Sequence, residues 1–120
     1  MGYLRGRGWR IKGTQVRVQD TSKRRFTQVD VVCEDSAGVH VVIEVKTRIV
    51  TMERHQESYR KVNPEKPKAY RKPNNMYWRH QMQLKQTTEM YRKRLPKATV
   101  CAYVLVIVQD TVLAYPLAKQ

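Results

Sequence analysis

A chain of 120 residues has room for one domain with one modest core, and not for two. Its 24 Lys and Arg stand against 10 Asp and Glu, a formal charge of +14, and so large an excess makes nucleic acid the expected partner, because each neutralised phosphate releases a counterion. The 41% apolar share excludes wholesale disorder, and no apolar run approaches the roughly 18 residues of a membrane span.

Residues 1–13 carry Gly2, Gly6, Gly8 and Gly13 among Arg5, Arg7 and Arg10. They read as a flexible basic arm whose arginines are candidates for contact with a nucleic-acid backbone, and they lack the apolar stretch of a secretory signal. Residues 14–120 are expected to form the single domain. In residues 14–19, Val16 and Val18 alternate with polar neighbours, the period of a strand, and a basic turn follows at 20–25. Residues 26–34 and 39–47 are rich in β-branched side chains, and Asp35-Ser36-Ala37-Gly38 between them makes a hairpin, with Gly38 suited to a left-handed turn position.

Residues 52–62 are expected to form a short helix. Pro64, Pro67 and Pro73 exclude a helix from 63–75. That loop holds Lys66, Lys68, Arg71 and Lys72 with Tyr70, Tyr77 and Trp78 nearby, cations for phosphates and rings for unpaired bases. Residues 76–95 contain no Pro or Gly, and Tyr77, Leu84, Tyr91 and Leu95 recur at helical spacing, so this is the main helix, stopped by Pro96. Residues 99–108 are almost wholly apolar, as in a central strand buried on both faces. Gln109-Asp110 turns the chain into a last strand at 111–115. A hairpin, a crossover helix and a further strand favour a parallel pair within a mixed α/β sheet. Cys33 and Cys101 sit inside apolar runs, as buried thiols of a reducing intracellular compartment do.

Glu44 and Lys46 are two apart on a strand and point to one face. With a 36–38 loop, Asp35 faces Val39 and Asp30 falls opposite Glu44. The three charged groups then share one face, while Val29, Val31, Cys33, Val41, Ile43 and Val45 form an apolar face expected to pack on the core. A loop one residue longer would break this pattern. Two carboxylates on adjacent strands suit a hard divalent ion, Mg²⁺ or Mn²⁺, that can polarise a phosphodiester, with Lys46 placed to orient water and offset charge on the phosphate. The same residues also read as a cross-strand salt bridge on a solvated face.

Asp30, thirteen residues, then Glu44-Val45-Lys46 closely resembles the PD-(D/E)XK nuclease motif. Trp78-Arg79-His80-Gln81-Met82-Gln83-Leu84 resembles the Gln-x-Gln helix of the lambda-exonuclease-like branch, which includes the YqaJ and viral alkaline nucleases. The resemblance covers residues 26–108 and implies a minimal restriction-endonuclease-like fold with the site on the hairpin. It implies a metal-dependent DNA nuclease, exonucleolytic in the manner of that branch, where ring-shaped homo-oligomers, DNA recombination and viral sources occur and the setting is cytoplasm or host nucleus. A small endonuclease or Holliday-junction resolvase is the alternative, and a basic nucleic-acid-binding protein without catalysis is the rival outside the superfamily. Carried over by position, Asp30 and Glu44 hold the ion, Lys46 assists the attacking water and Gln83 reaches the site, with Gln81 the second choice. Three departures stand out: Val29 precedes Asp30 where the motif has Pro, Thr87 occupies a position often aromatic, and Asp20 is the only acid before Asp30, so no N-terminal helix supplies a further Glu. His40 and His80 read as half-exposed histidines without a role, and His55 has no context.

Overall fold

β-Branched runs set the architecture. The computed structural model describes residues 2–20, 24–59 and 76–118. Its strands are β1 (Arg10–Asp20), β2 (Arg25–Glu34), β3 (His40–Arg48), β4 (Val100–Val108) and β5 (Thr111–Pro116), in the order β1-β2-β3-β4-β5 within one sheet. The helices are α1 (Gly2–Gly6), α2 (Met52–Ser58) and α3 (Met76–Arg94). β3 and β4 run parallel, joined through the helical crossover, and the other neighbouring pairs are antiparallel. This is a small α/β fold of the minimal restriction-endonuclease-like kind.

Turn chemistry fixes the register on which the site depends. The Asp35 carboxylate accepts the Ala37 and Val39 N–H groups, each at 2.9 Å, and Asp35 N–H donates to the Val39 carbonyl at 3.0 Å. Gly38 takes φ +82°, a conformation a side chain would strain. The loop is therefore 36–38, and Val31 pairs with Ile43 as counted from the sequence. At the other hairpin Gln109 and Asp110 both take positive φ, 48° and 64°, the two-residue turn that matches strand twist.

α3 packs on one face of the sheet. Leu84, Tyr77, Met90 and Tyr91 meet Val18, Val29, Val32, Val42, Val104, Val106 and Val108. A smaller cluster on the other face joins Leu4 and Trp9 to Val31, Cys33, Val41, Ile43 and Leu105. β4 contributes to both clusters, as its apolar run requires.

Two expectations change here. Residues 2–13 are not a flexible arm: α1 forms, Leu4 is 2% exposed, and β1 already begins at Arg10. Burying Leu4 and Trp9, at roughly 25 cal/mol per Å² of apolar surface, outweighs the local glycine entropy. Secondly, the face bearing Glu44 is not solvated, because α3 covers it and the chain builds a cluster on each side. Val29 and Val32, three apart, both face α3, so alternation slips beside Asp30. The proline- and lysine-rich loop with Lys66, Lys68, Tyr70, Arg71 and Lys72 lies outside the described residues. Cys33 and Cys101 are free thiols separated by the intervening β3, since each is paired with Val41.

Candidate active site

The β2–β3 ladder ends at Val31–Ile43. One step further, Asp30 no longer offers a ladder bond. Its side chain does so instead, with Oδ2 accepting the Val45 N–H at 2.8 Å. This fastens Asp30 to β3 where the two strands part, and sets its carboxyl beside that of Glu44, close enough to raise it.

Glu44 is 5% exposed, pressed beneath α3. Burial first, then the charge of Asp30, raises its carboxyl to about 7, against a smaller opposing pull from Lys46. Thr87 on α3 lies beside this carboxyl and opposes the rise weakly, with its Oγ1 3.4 Å from Thr27 Oγ1. The Lys46 ammonium donates to Gln83 Oε1 at 2.8 Å, which ties β3 to α3 across the mouth of the site. Among the expected residues, Asp30, Glu44, Lys46 and Gln83 thus converge.

Gln81 does not join them. It is 2% exposed, and its amide donates to the Pro116 carbonyl at 3.1 Å while accepting the Ala118 N–H at 2.8 Å. On a helix, residues two apart point to different sides, so only one of the Gln pair can face β3. The N-terminal arginines also stand apart. Arg7 lies over the Trp9 ring at 4.4 Å and the Tyr103 ring at 5.1 Å, in the cluster on the far face. Arg10 pairs with Glu34 at 2.6 Å, four residues along β2 from Asp30. Arg5 is exposed on α1, on that far side.

Three further residues belong to the site's surroundings that the sequence does not assign to it. Thr87 appears there only as a departure, at a position often aromatic. Arg48 continues the period-two row of Glu44 and Lys46, and that period is the signal by which it can be found. His55 is wholly buried, bonded to Arg48 at 3.0 Å and to Tyr115, sixty residues away, at 2.8 Å. No local pattern encodes that partner. His40, partly buried, bonds Tyr91 Oη of α3 at 2.7 Å. His80 bonds Tyr59 Oη at 2.9 Å and is held down to about 4 by burial and by Lys46, Arg48 and Arg79.

The described residues contain no cluster of three or more His, Cys, Asp and Glu suited to an ion. The donor set is the Asp30–Glu44 pair. It fits Mg²⁺, which binds through one or two carboxylates and draws its remaining ligands from water and phosphate. Two carboxylates forced together, one of them buried and lifted to about 7, form a site whose repulsion a cation would relieve.

A hairpin carrying Asp and Glu-x-Lys, a parallel neighbour strand and a crossover helix reaching the lysine define a PD-(D/E)XK-type architecture. The chain belongs to the uncharacterised protein family UPF0102, whose model matches residues 1–106, and that family falls within the PD-(D/E)XK nuclease superfamily. The match is to this family and not to the lambda-exonuclease-like branch, so the viral, recombination and host-nucleus settings of that branch gain no support. No curated protein and no solved structure matches the chain. No helix among the described residues is long and apolar enough to cross a membrane.

Proposed function

We propose that this protein hydrolyses phosphodiester bonds of DNA with the help of Mg²⁺ or Mn²⁺. The observation that carries the reading is the contact of Asp30 with buried Glu44 beside a lysine that α3 holds in place. A surface salt bridge would not bury Glu44 or turn two carboxyls toward each other.

The divalent ion would supply Lewis-acid polarisation of the phosphodiester. The chain's own residues do the rest. Asp30, pinned by the Val45 amide, presents its carboxyl in a fixed direction. Glu44, buried beneath α3, completes the donor pair. Gln83 holds the Lys46 ammonium where it can orient an attacking water and offset negative charge on the phosphate. The +14 charge gathers the polyanion.

Gln83 at Lys46 matches the Gln-x-Gln helix of the lambda type and favours exonuclease action, while endonuclease or junction-resolving action needs only the minimal Asp-Glu-Lys set. Homo-oligomerisation belongs to the first mode. The test incubates the protein with end-labelled linear DNA and nicked circles, with Mg²⁺, Mn²⁺ or chelator, beside Asp30→Asn. Metal-dependent loss of label from ends alone identifies an exonuclease, and cutting of circles an endonuclease. Intact DNA in every lane leaves a basic binding protein.

A further inference from the structure

Glu44, Lys46 and Arg48 alternate along one face of β3. The first two belong to the proposed site and the third is unassigned. Arg48 Nη1 donates to His55 Nδ1 at 3.0 Å and to Ser58 Oγ at 2.9 Å, so α2 grips one arm of the guanidinium from one side. With Nδ1 accepting, His55 carries its proton on Nε2 and donates to Tyr115 Oη at 2.8 Å. Its ring stacks on Tyr59 at 4.7 Å. The cradle is aromatic and hydrogen-bonded, with His55 and Tyr59 buried and Ser58 exposed at its rim.

Both acceptors of Arg48 are neutral. Among the described residues no carboxylate pairs with it, and the ion pairs there both use Glu34. Neighbouring charges add to its own: after burial, Lys46, Arg48 and Arg79 all act on His80 to keep that imidazole neutral. Ordering a long cationic side chain costs entropy, and crowding cations costs more. An arginine fixed on neutral partners, beside other cations and without a counter-charge among the described residues, is arranged for an anion that arrives from outside.

We propose that Arg48 forms a second phosphate site, which receives a backbone phosphate flanking the one attacked at Asp30 and Glu44. The proposal rests on the nuclease reading given above. Along the strand Arg48 lies about 6.6 Å from Lys46 and about 13 Å from Glu44, one and two steps of roughly the spacing between neighbouring phosphates of one nucleic-acid strand. His55 and Ser58 engage only Nη1, and no other described residue takes the Nε and Nη2 donors, a planar fork of the kind that meets a phosphate through paired bonds. Arg48 is in this sense the residue that sets the path of the strand across the site, and His55 positions it.

The experiment measures binding in chelator, so that it does not depend on cleavage. A fluorescent single-stranded oligothymidylate is titrated with wild type, Arg48→Gln and Arg48→Lys across a range of salt, and folding is checked by melting. Arg48→Gln should weaken binding on the order of tenfold and lower the slope of log K against log salt by about 0.7. Arg48→Lys should restore the slope and only part of the affinity, since it keeps the charge and loses the fork. A folded Arg48→Gln with wild-type affinity and slope overturns the proposal and makes Arg48 a structural partner of His55. Should that variant fail to fold, oligonucleotides with a single neutral methylphosphonate, moved one position at a time, test the wild type and Arg48→Lys. One position should weaken wild type more than Arg48→Lys, and equal sensitivity at every position overturns the proposal. If the Arg48 effect appears but no divalent ion brings cleavage, the phosphate site stands and the nuclease reading falls.

Discussion

Glu44 is the residue in which fold and proposed chemistry conflict most directly. Its carboxyl rises from the ordinary value near 4.5 to about 7, chiefly through burial and then through Asp30. A carboxyl whose folded value lies above its unfolded one binds its proton more tightly when folded. Without a divalent ion, its contribution to stability is therefore highest below about 4.5, declines as pH rises and levels off above about 7. Glu44→Gln removes the penalty. The variant should be more stable than wild type by on the order of 1–3 kcal/mol above neutrality, with the gap closing toward pH 5. Melting curves in chelator across that window check it, and a gap independent of pH would refute the assignment. Asp30→Asn should abolish most of any stabilisation that millimolar Mg²⁺ or Mn²⁺ gives the wild type, because it removes half of the donor pair. A variant that melts with the same ion-dependent shift as wild type would place the ion elsewhere. Lys46→Ala should lower cleavage at least about a hundredfold while DNA affinity stays within a few-fold, since Lys46 is one of 24 cations. Parallel losses in the two assays would reduce Lys46 to part of the basic footprint. The sequence displayed Asp30, Glu44 and Lys46 because strand period and a three-residue turn determine who faces whom. It did not display the burial of Glu44, which depends on where α3 settles.

At the scale of elements, α3 links the site to the end of the sheet. Its two glutamines, two residues apart, do opposite things: Gln83 holds Lys46, and Gln81 clips residues 116 and 118. Gln83→Ala should reduce the cleavage rate by roughly tenfold with little change in melting temperature, because the bond it removes is exposed. Gln81→Ala breaks a pair of partly buried bonds and should cost about 1–3 kcal/mol of stability, leaving the rate per folded molecule near wild type. The opposite pattern, measured by initial rates and melting, would exchange their roles. The sequence offered both residues because a motif shows spacing, whereas the direction of a side chain depends on the helix's rotation against the sheet. Secondary structure was more legible, with every predicted strand present. The exception is instructive: glycine and arginine concealed α1, whose stability comes from Leu4 and Trp9 reaching a cluster built by strands far along the chain.

For the whole molecule, charge outweighs every other property that bears on binding. Glu34 is the only acid forming ion pairs among the described residues, on Arg10 and Lys12. Most of the basic excess is thus left for an external polyanion. Replacing Lys66, Lys68, Arg71 and Lys72 together by Ala should weaken DNA binding and flatten its salt dependence, by roughly 0.7 to 0.9 in slope for each phosphate that is no longer neutralised. An unchanged slope would turn that loop away from the substrate. The sequence conveyed this charge in full, though not its distribution: Arg7 is spent on aromatic rings and Arg10 on Glu34.

The parting of β2 from β3 at Asp30 carries a last consequence. The Val45 amide, which in an unbroken ladder would report only on sheet integrity, is bonded to the Asp30 carboxylate itself. That single backbone proton is therefore a built-in gauge of the site. Whatever draws the carboxylate toward a cation lengthens or weakens its hold on Val45, and the amide's nuclear resonance and exchange rate change accordingly. The amide of Val41, paired deep in the same strand and far from the carboxylates, stays as it was. Occupancy of the centre becomes readable in the backbone of β3 without a substrate, a label or a turnover.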